Sequence, residues 1–168
     1  MFGKNGACEG CWCMWWRIPY SQFIRQKNEM NRKAIKEIVD SGKVPGILAY
    51  FDGAPVGWCA IAPREEYLRL ERSRILKRVD EKPVWSVTCF FVAKEFRCKG
   101  LTSELLKAAV KYAGGRGAKI VEGYPTDLKK EELPDAFVYT GLASAFVKAG
   151  FREVARRSEK RPIMRRFL

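Results

Sequence analysis

The stretch RCKGLTS at positions 97–103 combines residue types from which proteins build anion sites. Arg97 and Lys99 supply positive charge, and Gly100 lets the main chain approach a ligand without a Cβ atom in the way. Hydroxyl residues follow two and three positions later, in the first turn of a predicted helix. The first amides of a helix have no partner inside it, and the helix dipole favours negative charge there. The stretch therefore predicts a site for a phosphate or pyrophosphate group.

The elements on either side of this stretch must position it. The run VWSVTCFFV (84–92) is β-branched and aromatic on both alternating faces, which indicates a strand in the middle of a sheet, covered on each side. After the stretch, apolar residues recur at helical spacing until Gly114 and Gly115 end the helix. A second strand is predicted over AKIVEGY (118–124). Strand, loop, helix and strand in this order form a parallel crossover unit.

Further elements extend this unit on both sides. Asp52-Gly53 suits the tight turn of an antiparallel hairpin and stands between two strand-like runs, GILAYF and PVGWCAIA. The connection over 125–139 is long, which makes it a candidate lid or substrate loop. The other predicted elements are a buried strand over 11–17, one or two helices from a cap at Ser21 to Gly42, a partly helical charged segment over 64–82, a helix over 141–149, and two closing strands, FREVARR and PIMRRFL.

The length and composition of the chain indicate its class. It has 168 residues, of which 47% are hydrophobic, so we expect a single domain over 1–168 with a substantial core. No apolar run reaches the roughly 18 to 20 residues of a membrane span, and no leader-like segment opens the sequence. We therefore expect a cytoplasmic protein with no membrane partner. The net charge of +13 favours acidic partners without naming one.

Histidine is absent and cysteine is frequent, and both counts restrict the chemistry. Without histidine, a catalytic base must be a carboxylate, a tyrosine, a perturbed lysine or cysteine, or water. Cys8, Cys11 and Cys13 could begin a zinc site, but closed sites want four ligands, so Cys59 or Cys89 would have to complete it through space. We expect buried, reduced cysteines and no metal.

The anion loop and the order of elements together resemble the GNAT superfamily of acetyl-coenzyme A dependent N-acetyltransferases. The resemblance covers the whole chain, and the family signature R/Q-x-x-G-x-G/A reads RCKGLT at 97–102, with Thr102 in place of the final small residue. It implies a mixed α/β (α+β) fold. In that fold a central, mostly antiparallel twisted sheet contains a parallel, splayed central strand pair, and helices cover both faces.

The resemblance also implies acetyl-coenzyme A, or coenzyme A, as co-substrate. In the family the pantetheine arm pairs with the backbone at the end of the central strand, and the pyrophosphate lies on the anion loop. Many relatives carry a tyrosine, proposed to protonate the departing thiolate, where this chain has phenylalanine. The residues expected to bind the coenzyme are Phe90, Phe91, Val92, Arg97, Cys98, Lys99, Gly100, Leu101, Thr102, Ser103 and Phe146.

Acetyl transfer to an amine needs a base that makes the amine neutral. The family often supplies a glutamate from the central strand, but this chain has Val84, Ser86 and Thr88 there. The nearest carboxylate is Glu122, in the strand that should lie beside the central strand at the splay. A structural ion pair at the end of the sheet is the alternative interpretation of Glu122. Weaker candidates for the base are Asp80, Glu81 and Asp127.

Transfer also needs a polarised thioester carbonyl and a leaving thiolate. The N–H of Val92 is the predicted partner of the carbonyl oxygen. Tyr139 or Tyr124 could protonate the thiolate, although Tyr139 could instead be a wall or a coenzyme contact, and a thiol with a pKa of about 8.5 leaves tolerably without help. The N-terminal tryptophans belong to the core or hold a cationic amine over a ring; they are Trp12, Trp15 and Trp16.

The predicted function is N-acetyl transfer from acetyl-coenzyme A to a primary amine of an unidentified small-molecule or peptide acceptor, by direct attack in a ternary complex. The alternative is a catalytically weak or inactive coenzyme A binding module that acts as a sensor or assembly subunit. Phe146 and the missing central-strand glutamate motivate this alternative. Basic residues are spread along the chain without an aromatic-basic motif, so no nucleic-acid partner is expected. Homodimers are common in the family, but no feature of this sequence predicts one.

Overall fold

One mixed sheet of six strands organises the chain, in the order β1-β2-β3-β4-β6-β5. The computed structural model describes Phe2 and residues 10–26, 28–128 and 138–168. Only β3 and β4 pair in parallel among the strands of this sheet, which confirms the mixed, mostly antiparallel fold predicted from the sequence. The strands are β1 (Gly46–Phe51), β2 (Ala54–Pro63), β3 (Trp85–Val92), β4 (Ile120–Gly123), β5 (Arg152–Arg156) and β6 (Pro162–Phe167).

The hairpin of β1 and β2 forms as its turn residues predict. Asp52 and Gly53 both have positive φ, 47° and 76°, as the tight turn requires, and Phe51 lies opposite Ala54. Such a turn matches the twist of antiparallel strands, so it sets the register of the pair.

The parallel pair separates after a short run. Trp85 lies opposite Val121, and the last pair is Val87 with Gly123. β3 then continues for five residues to Val92, whereas β4 ends. The predicted splay between the two central strands is therefore present, and one edge of β3 has no strand beside it beyond Val87.

A bulge in β3 changes which faces its side chains occupy. Cys89 lies opposite Ala60 and Val87 opposite Ile61, so Thr88 is an extra residue relative to β2. In a regular strand, residues two positions apart share a face, so Val87 and Cys89 would share one if the bulge were absent. Instead Val87 packs in the main core cluster, and Cys89 packs in a cluster on the other face.

Helices cover both faces of the sheet, as expected. The apolar face of the longest helix packs on β1, β2 and β3 and contributes Leu105, Leu106 and Ala109 to the main core. The opposite face is covered by the N-terminal segment and the first three helices. The helices are α1 (Tyr20–Arg25), α2 (Glu29–Asp40), α3 (Leu68–Glu71), α4 (Leu101–Gly115) and α5 (Ala143–Lys148), with 3-10 turns at Arg64–Glu66 and Lys94–Phe96.

The predicted strand over 11–17 is wrong. The segment forms consecutive turns, with Met14 N bonded to Cys11 O and Arg17 N to Met14 O. Trp12 and Cys13 have φ values of 45° and 56°, which no strand contains. The aromatic run is buried as predicted, but it packs as a coil against the sheet because its main-chain bonds are satisfied locally.

The following segment contains two helices, one of the two outcomes left open. The predicted cap at Ser21 is wrong, because α1 starts at Tyr20 after Pro19. None of the helices in the described part of the chain has the length and apolar character that crossing a bilayer requires.

Candidate coenzyme and acceptor site

The predicted anion loop joins β3 to α4 at the splayed end of the parallel pair. Gly100 is the residue before the helix and has φ +82°, a left-handed conformation that favours glycine. Cys98 also has positive φ, 57°. Arg97, Lys99 and Gly100 are exposed, so their charges and main chain are accessible to a ligand.

The turn at Gly100 orients the backbone amides at the start of α4. Ser103 N and Glu104 N both donate to Gly100 O, at 2.9 and 3.3 Å. Leu101 and Thr102 precede these first bonded amides, and their N–H groups lie in the first turn, where a helix has no internal acceptor. This arrangement is suited to an anion.

Ser103 connects two helices. Its hydroxyl donates to Ala145 O of α5 at 3.4 Å, and the residue is 8% exposed. The side chain therefore ties α4 to α5, and a contact of Ser103 with the coenzyme stays a prediction. Thr102, which is half-buried, is the hydroxyl residue that remains on the accessible part of the first turn.

The loop is connected to the end of β3 through Arg97. Arg97 Nε donates to Val92 O at 3.1 Å. Ala93 N donates to Val56 O of β2 at 2.9 Å. Since successive amides of a strand point to opposite edges, the amides of Phe90 and Val92 point away from β2, into the gap left by β4.

A neighbouring segment occupies part of that gap. Phe90 N donates to Tyr139 O at 2.6 Å, and Thr126 N donates to Gly141 O at 2.8 Å. The end of the 125–139 connection therefore pairs with the central strand where the pantetheine arm was expected at Phe90. Val92 is the next residue along β3 whose amide faces the gap.

Phe146 lies in the core. It is fully buried and makes edge-to-face contacts with Phe90 at 6.0 Å and Phe151 at 5.0 Å between ring centroids. A Cβ atom on Gly123 would lie 2.1 Å from its ring, so glycine at the end of β4 makes room for Phe146. A contact of Phe146 with the coenzyme stays a prediction, and the observed contacts are those of a packing residue.

Glu122 is the centre of a buried polar network on the face opposite α4. Its Oε1 accepts from Arg64 Nη1 at 3.0 Å and from the Tyr124 hydroxyl at 2.7 Å. Its Oε2 accepts from Arg165 Nε at 2.6 Å. Glu122 is 0% exposed. Its role as base stays a prediction, but these contacts match the alternative interpretation, a structural ion pair at the end of the sheet.

The two arginines extend the network outward. Arg64 Nε donates to Glu71 Oε1 at 2.7 Å, and Arg165 forms a two-bond pair with Asp80, at 2.7 and 3.1 Å. Arg165 holds the pKa of the Asp80 carboxyl below its ordinary value. The Tyr124 phenol donates to Glu122 and so accepts from Ser86 Oγ, at 2.8 Å. Burial, and then the charge of Glu122, raises the pKa of Tyr124.

Sequence reasoning missed Arg64 and Arg165. Both are nearly fully buried, and neither lies in a motif. Their signal was weak: Arg64 directly follows the apolar run of β2, and Arg165 is one of two adjacent arginines in PIMRRF. Among the weaker base candidates, Asp127 pairs with Arg156 at 2.8 Å, and Glu81 is exposed.

Tyr139 is half-buried beside the second core cluster, which includes Trp16, Tyr67 and Tyr124. Burial raises the pKa of its phenol, against the lowering effect of Arg161. The hydroxyl is therefore protonated at neutral pH and able to donate. Residues 129–137 of the predicted lid lie outside the described residues.

Three buried polar groups lie near the splay without hydrogen-bond partners among the described residues. They are the Tyr67 hydroxyl, the Thr88 hydroxyl of the bulge and Arg17 Nη2. The guanidinium of Arg17 lies 4.8 Å from the centroid of the Tyr67 ring, and its Nη1 donates to Glu66 at 2.6 Å. The Thr88 hydroxyl lies close enough to affect the pKa of Tyr67, which burial raises, but neither hydroxyl reaches hydrogen-bond geometry.

Two tryptophan rings of the N-terminal segment contact arginine side chains. Arg69 lies 3.7 Å from the ring centroid of Trp15, and Arg32 lies 5.9 Å from that of Trp12. Trp16 is buried in the second core cluster. These contacts match the alternative in which the rings belong to the core, and a contact with a cationic amine stays a prediction.

The cysteines are thiols throughout the described residues. No group of three or more metal-ligating side chains there is arranged to hold an ion, while Cys8 lies outside the described residues. Cys13 is buried beside Cys89 on β3, with the sulfur atoms 3.8 Å apart.

Comparisons with known proteins agree with this architecture. The model of the acetyltransferase (GNAT) family matches residues 12–127. No curated protein matches the chain significantly. Because the solved structures below are 13 to 17% identical to the chain, they establish the likeness of fold alone.

The similar structures include a ribosomal-protein-alanine N-acetyltransferase from Brucella melitensis, with 16% identity, TM-score 0.52, and coverage of 83% of this chain and 78% of that one. An acetyltransferase of the GNAT family from Listeria monocytogenes has 13% identity, TM-score 0.55, and coverage of 90% and 77%. The aminoglycoside acetyltransferase AAC(6')-Ib, crystallised with coenzyme A and kanamycin, has 17% identity, TM-score 0.52, and coverage of 83% and 75%.

Proposed function

The chain belongs to the acetyltransferase (GNAT) family, and on that premise we propose that it transfers an acetyl group from acetyl-coenzyme A to a primary amine of a small molecule or peptide. The observation that carries the proposal is the position of the anion loop. Gly100 and the start of α4 stand at the same end of β3 as the edge that β4 leaves open. Acetyl-coenzyme A carries a diphosphate and a thioester joined by an extended arm. Its site therefore needs an anion loop and an open strand edge side by side.

The coenzyme would lie across the loop and along the outer part of β3. The amides of Leu101 and Thr102 would bind the pyrophosphate, with Arg97 and Lys99 supplying charge. The N–H of Val92 would polarise the thioester carbonyl. Since Phe90 N is bonded to Tyr139 O, the arm would either pair beyond Phe90 or displace the 138–141 segment.

The acceptor would approach from the face opposite α4. The Tyr67 and Thr88 hydroxyls and Arg17 Nη2 lie on that side without partners among the described residues, and a buried polar group without a partner costs stability. Because Arg17 Nη2 is a donor and both hydroxyls can donate or accept, they suit an acceptor that carries oxygen groups beside its amine. The aminoglycoside in the AAC(6')-Ib structure is a molecule of that kind.

The catalytic proton transfers would involve Tyr139 and a group that deprotonates the amine. Tyr139 is a protonated phenol at neutral pH, so it can donate to the departing thiolate. Glu122 can act as base only if the surrounding network opens, because the carboxylate is fully buried and is held by three donors. Direct attack of the amine on the thioester needs no covalent enzyme intermediate, consistent with a chain that has no histidine.

The test is thiol release from acetyl-coenzyme A with a panel of aminoglycosides, polyamines, amino acids and peptides, together with titration calorimetry of the coenzyme. Binding of the coenzyme and amine-dependent release of thiol would support the proposal. Tight binding with no release across the panel would favour the alternative, a coenzyme-binding module without turnover. The buried contacts of Phe146 and Glu122 are the features that favour this alternative. Absence of heat on coenzyme titration would exclude both.

A further inference from the structure

We propose that Cys13 and Cys89 form a reversible disulfide when a hydroperoxide oxidises the protein, which makes this thiol pair a modification site on the central strand. The two sulfur atoms lie 3.8 Å apart, although the residues are separated by 76 positions in the sequence. The pair is therefore created by the tertiary structure.

The geometry around the pair favours a bond between these two sulfurs. Both side chains belong to one cluster with Trp58, Ala60 and Phe91. A disulfide needs a sulfur–sulfur distance of about 2.05 Å. Rotation of the Cys89 side chain, with a small shift of the turn that carries Cys13, would close the remaining distance.

Cys11 is the competing partner for Cys13, since its thiol lies close enough to add to the rise that burial causes in the pKa of the Cys13 thiol. The two residues are separated by a single residue, so a bond between them would close a small, strained ring. Cys89 approaches Cys13 from β3, so a bond between these two residues would not close a small ring. The structure therefore favours the long-range pair.

The two thiols differ in accessibility, and this difference orders the steps. Cys89 is half-buried, whereas Cys13 is 5% exposed and burial raises the pKa of its thiol. The Cys89 sulfur attacks the hydroperoxide, the O–O bond breaks, an alcohol leaves, and a sulfenic acid forms. The Cys13 sulfur then attacks the Cys89 sulfur, the S–O bond breaks, and water leaves with the thiol proton. The two thiols together lose two electrons, and the hydroperoxide gains them and is reduced to alcohol and water, or to two waters when it is hydrogen peroxide.

The disulfide would tie the N-terminal segment to β3, next to the bulge residue Thr88 and to Phe90, whose amide holds Tyr139. It would also constrain the unfolded chain, because it closes a long loop. A small thiol would reverse it. The inference rests on the distance between the sulfurs and not on the proposed acetyl transfer, so either can fail alone.

The experiment uses the full chain carrying Cys98→Ser, because Cys98 is exposed and would cross-link molecules. The protein is treated with hydrogen peroxide, its remaining thiols are alkylated, and peptides are mapped with and without reduction. We expect a peptide pair linked through Cys13 and Cys89 that disappears after dithiothreitol, and a Tm several degrees higher before reduction than after it. Cys89→Ser should abolish both changes.

The matched control is Cys59→Ala, which removes a buried cysteine of the other core cluster and should leave the link intact. If Cys13→Ser does not fold, Cys89→Ser and the peptide map still decide the question. Two outcomes would overturn the proposal. One is recovery of Cys13 as the alkylated thiol while Cys89 is oxidised to sulfinic acid, and the other is a link from Cys13 to Cys11.

Discussion

Glu122 and Arg165 lie opposite one another in β4 and β6, and Arg165 Nε donates to Glu122 Oε2 at 2.6 Å inside the sheet. Arg64 approaches the other carboxylate oxygen from the turn after β2. Two cations from different elements thus contact one fully buried carboxylate. This relationship gives the network a structural role that can be measured.

Glu122→Gln should destabilise the protein strongly. The substitution keeps the size of the side chain but leaves two buried guanidinium groups without their shared charge, which typically costs about 3 to 5 kcal/mol. The free energy of unfolding from urea titration measures the loss. Glu104→Gln is the control, because it breaks an exposed pair with Lys107 and should cost under about 1 kcal/mol. A Glu122→Gln variant of unchanged stability whose activity per folded molecule falls and shifts with pH would instead identify Glu122 as the base.

Gly100→Ala should weaken coenzyme binding, whereas Gly117→Ala should not. Both glycines have left-handed φ, +82° and +85°, and a Cβ at either would meet nothing within 4 Å. Alanine should therefore strain the backbone equally at both positions and lower the free energy of unfolding by about 1 to 2 kcal/mol in each variant. Only Gly100 stands at the start of α4, so we expect about tenfold weaker binding there, or ~1.4 kcal/mol. Equal calorimetric affinities in the two variants would remove the loop from the binding site.

Tyr67→Phe should make the protein more stable and less active. The hydroxyl is buried without a partner among the described residues, so its removal should raise the free energy of unfolding by about 1 kcal/mol, and the ring contact with Arg17 remains. If the hydroxyl binds the acceptor, kcat/KM for the amine should fall about tenfold, ~1.4 kcal/mol, without a change in coenzyme affinity.

Tyr112→Phe is the control for that variant. Tyr112 lies on α4, across the sheet, where its ring contacts Trp85. It should change neither stability nor kcat/KM appreciably. A stabilised Tyr67→Phe variant with full activity would show that the hydroxyl does not serve the acceptor.

Tyr139→Phe separates the side chain of Tyr139 from its main chain. The carbonyl that accepts from Phe90 N is retained, so coenzyme affinity should be unchanged. If the phenol protonates the departing thiolate, kcat should fall about tenfold, less than is typical of acid catalysis, because the thiolate leaves readily. Tyr50→Phe, at an exposed position of β1, is the control. Unaltered kcat in steady-state thiol release would assign Tyr139 to the wall of the site.

Asp80→Asn should matter near neutral pH and lose its effect in acid. Because Arg165 lowers the pKa of Asp80 in the folded state, the unfolded chain takes up the proton more readily. The stabilisation is present above the unfolded pKa of about 3.9 and is lost as pH falls through the lower folded value. Since Asp80 is partly exposed, we expect a difference from wild type of about 1 kcal/mol or less at pH 7. Urea titrations at several pH values would contradict this if the difference persisted in strong acid.

Local sequence signals predicted the elements that depend on local bonding. The Asp52-Gly53 turn, the helix after Gly100, the closing strands and the parallel unit around β3 all appear where their patterns indicated. The segment 11–17 is an exception, because its apolar pattern reports burial and cannot distinguish a strand from a packed coil. The bulge at Thr88 could not be predicted from the sequence either, since a bulge is defined only against the partner strand.

The sequence by itself determined that a glycine loop leads from a central strand into a helix, that the sheet is mixed and that histidine chemistry is absent, because these follow from residue types and short spacings. Only the tertiary structure decided that Glu122 is locked by Arg64 and Arg165, that Phe146 fills the space beside Gly123, and that Cys13 meets Cys89. These partners are far apart along the chain. Their contacts arise from how the sheet and its two covering layers pack, which no local pattern records.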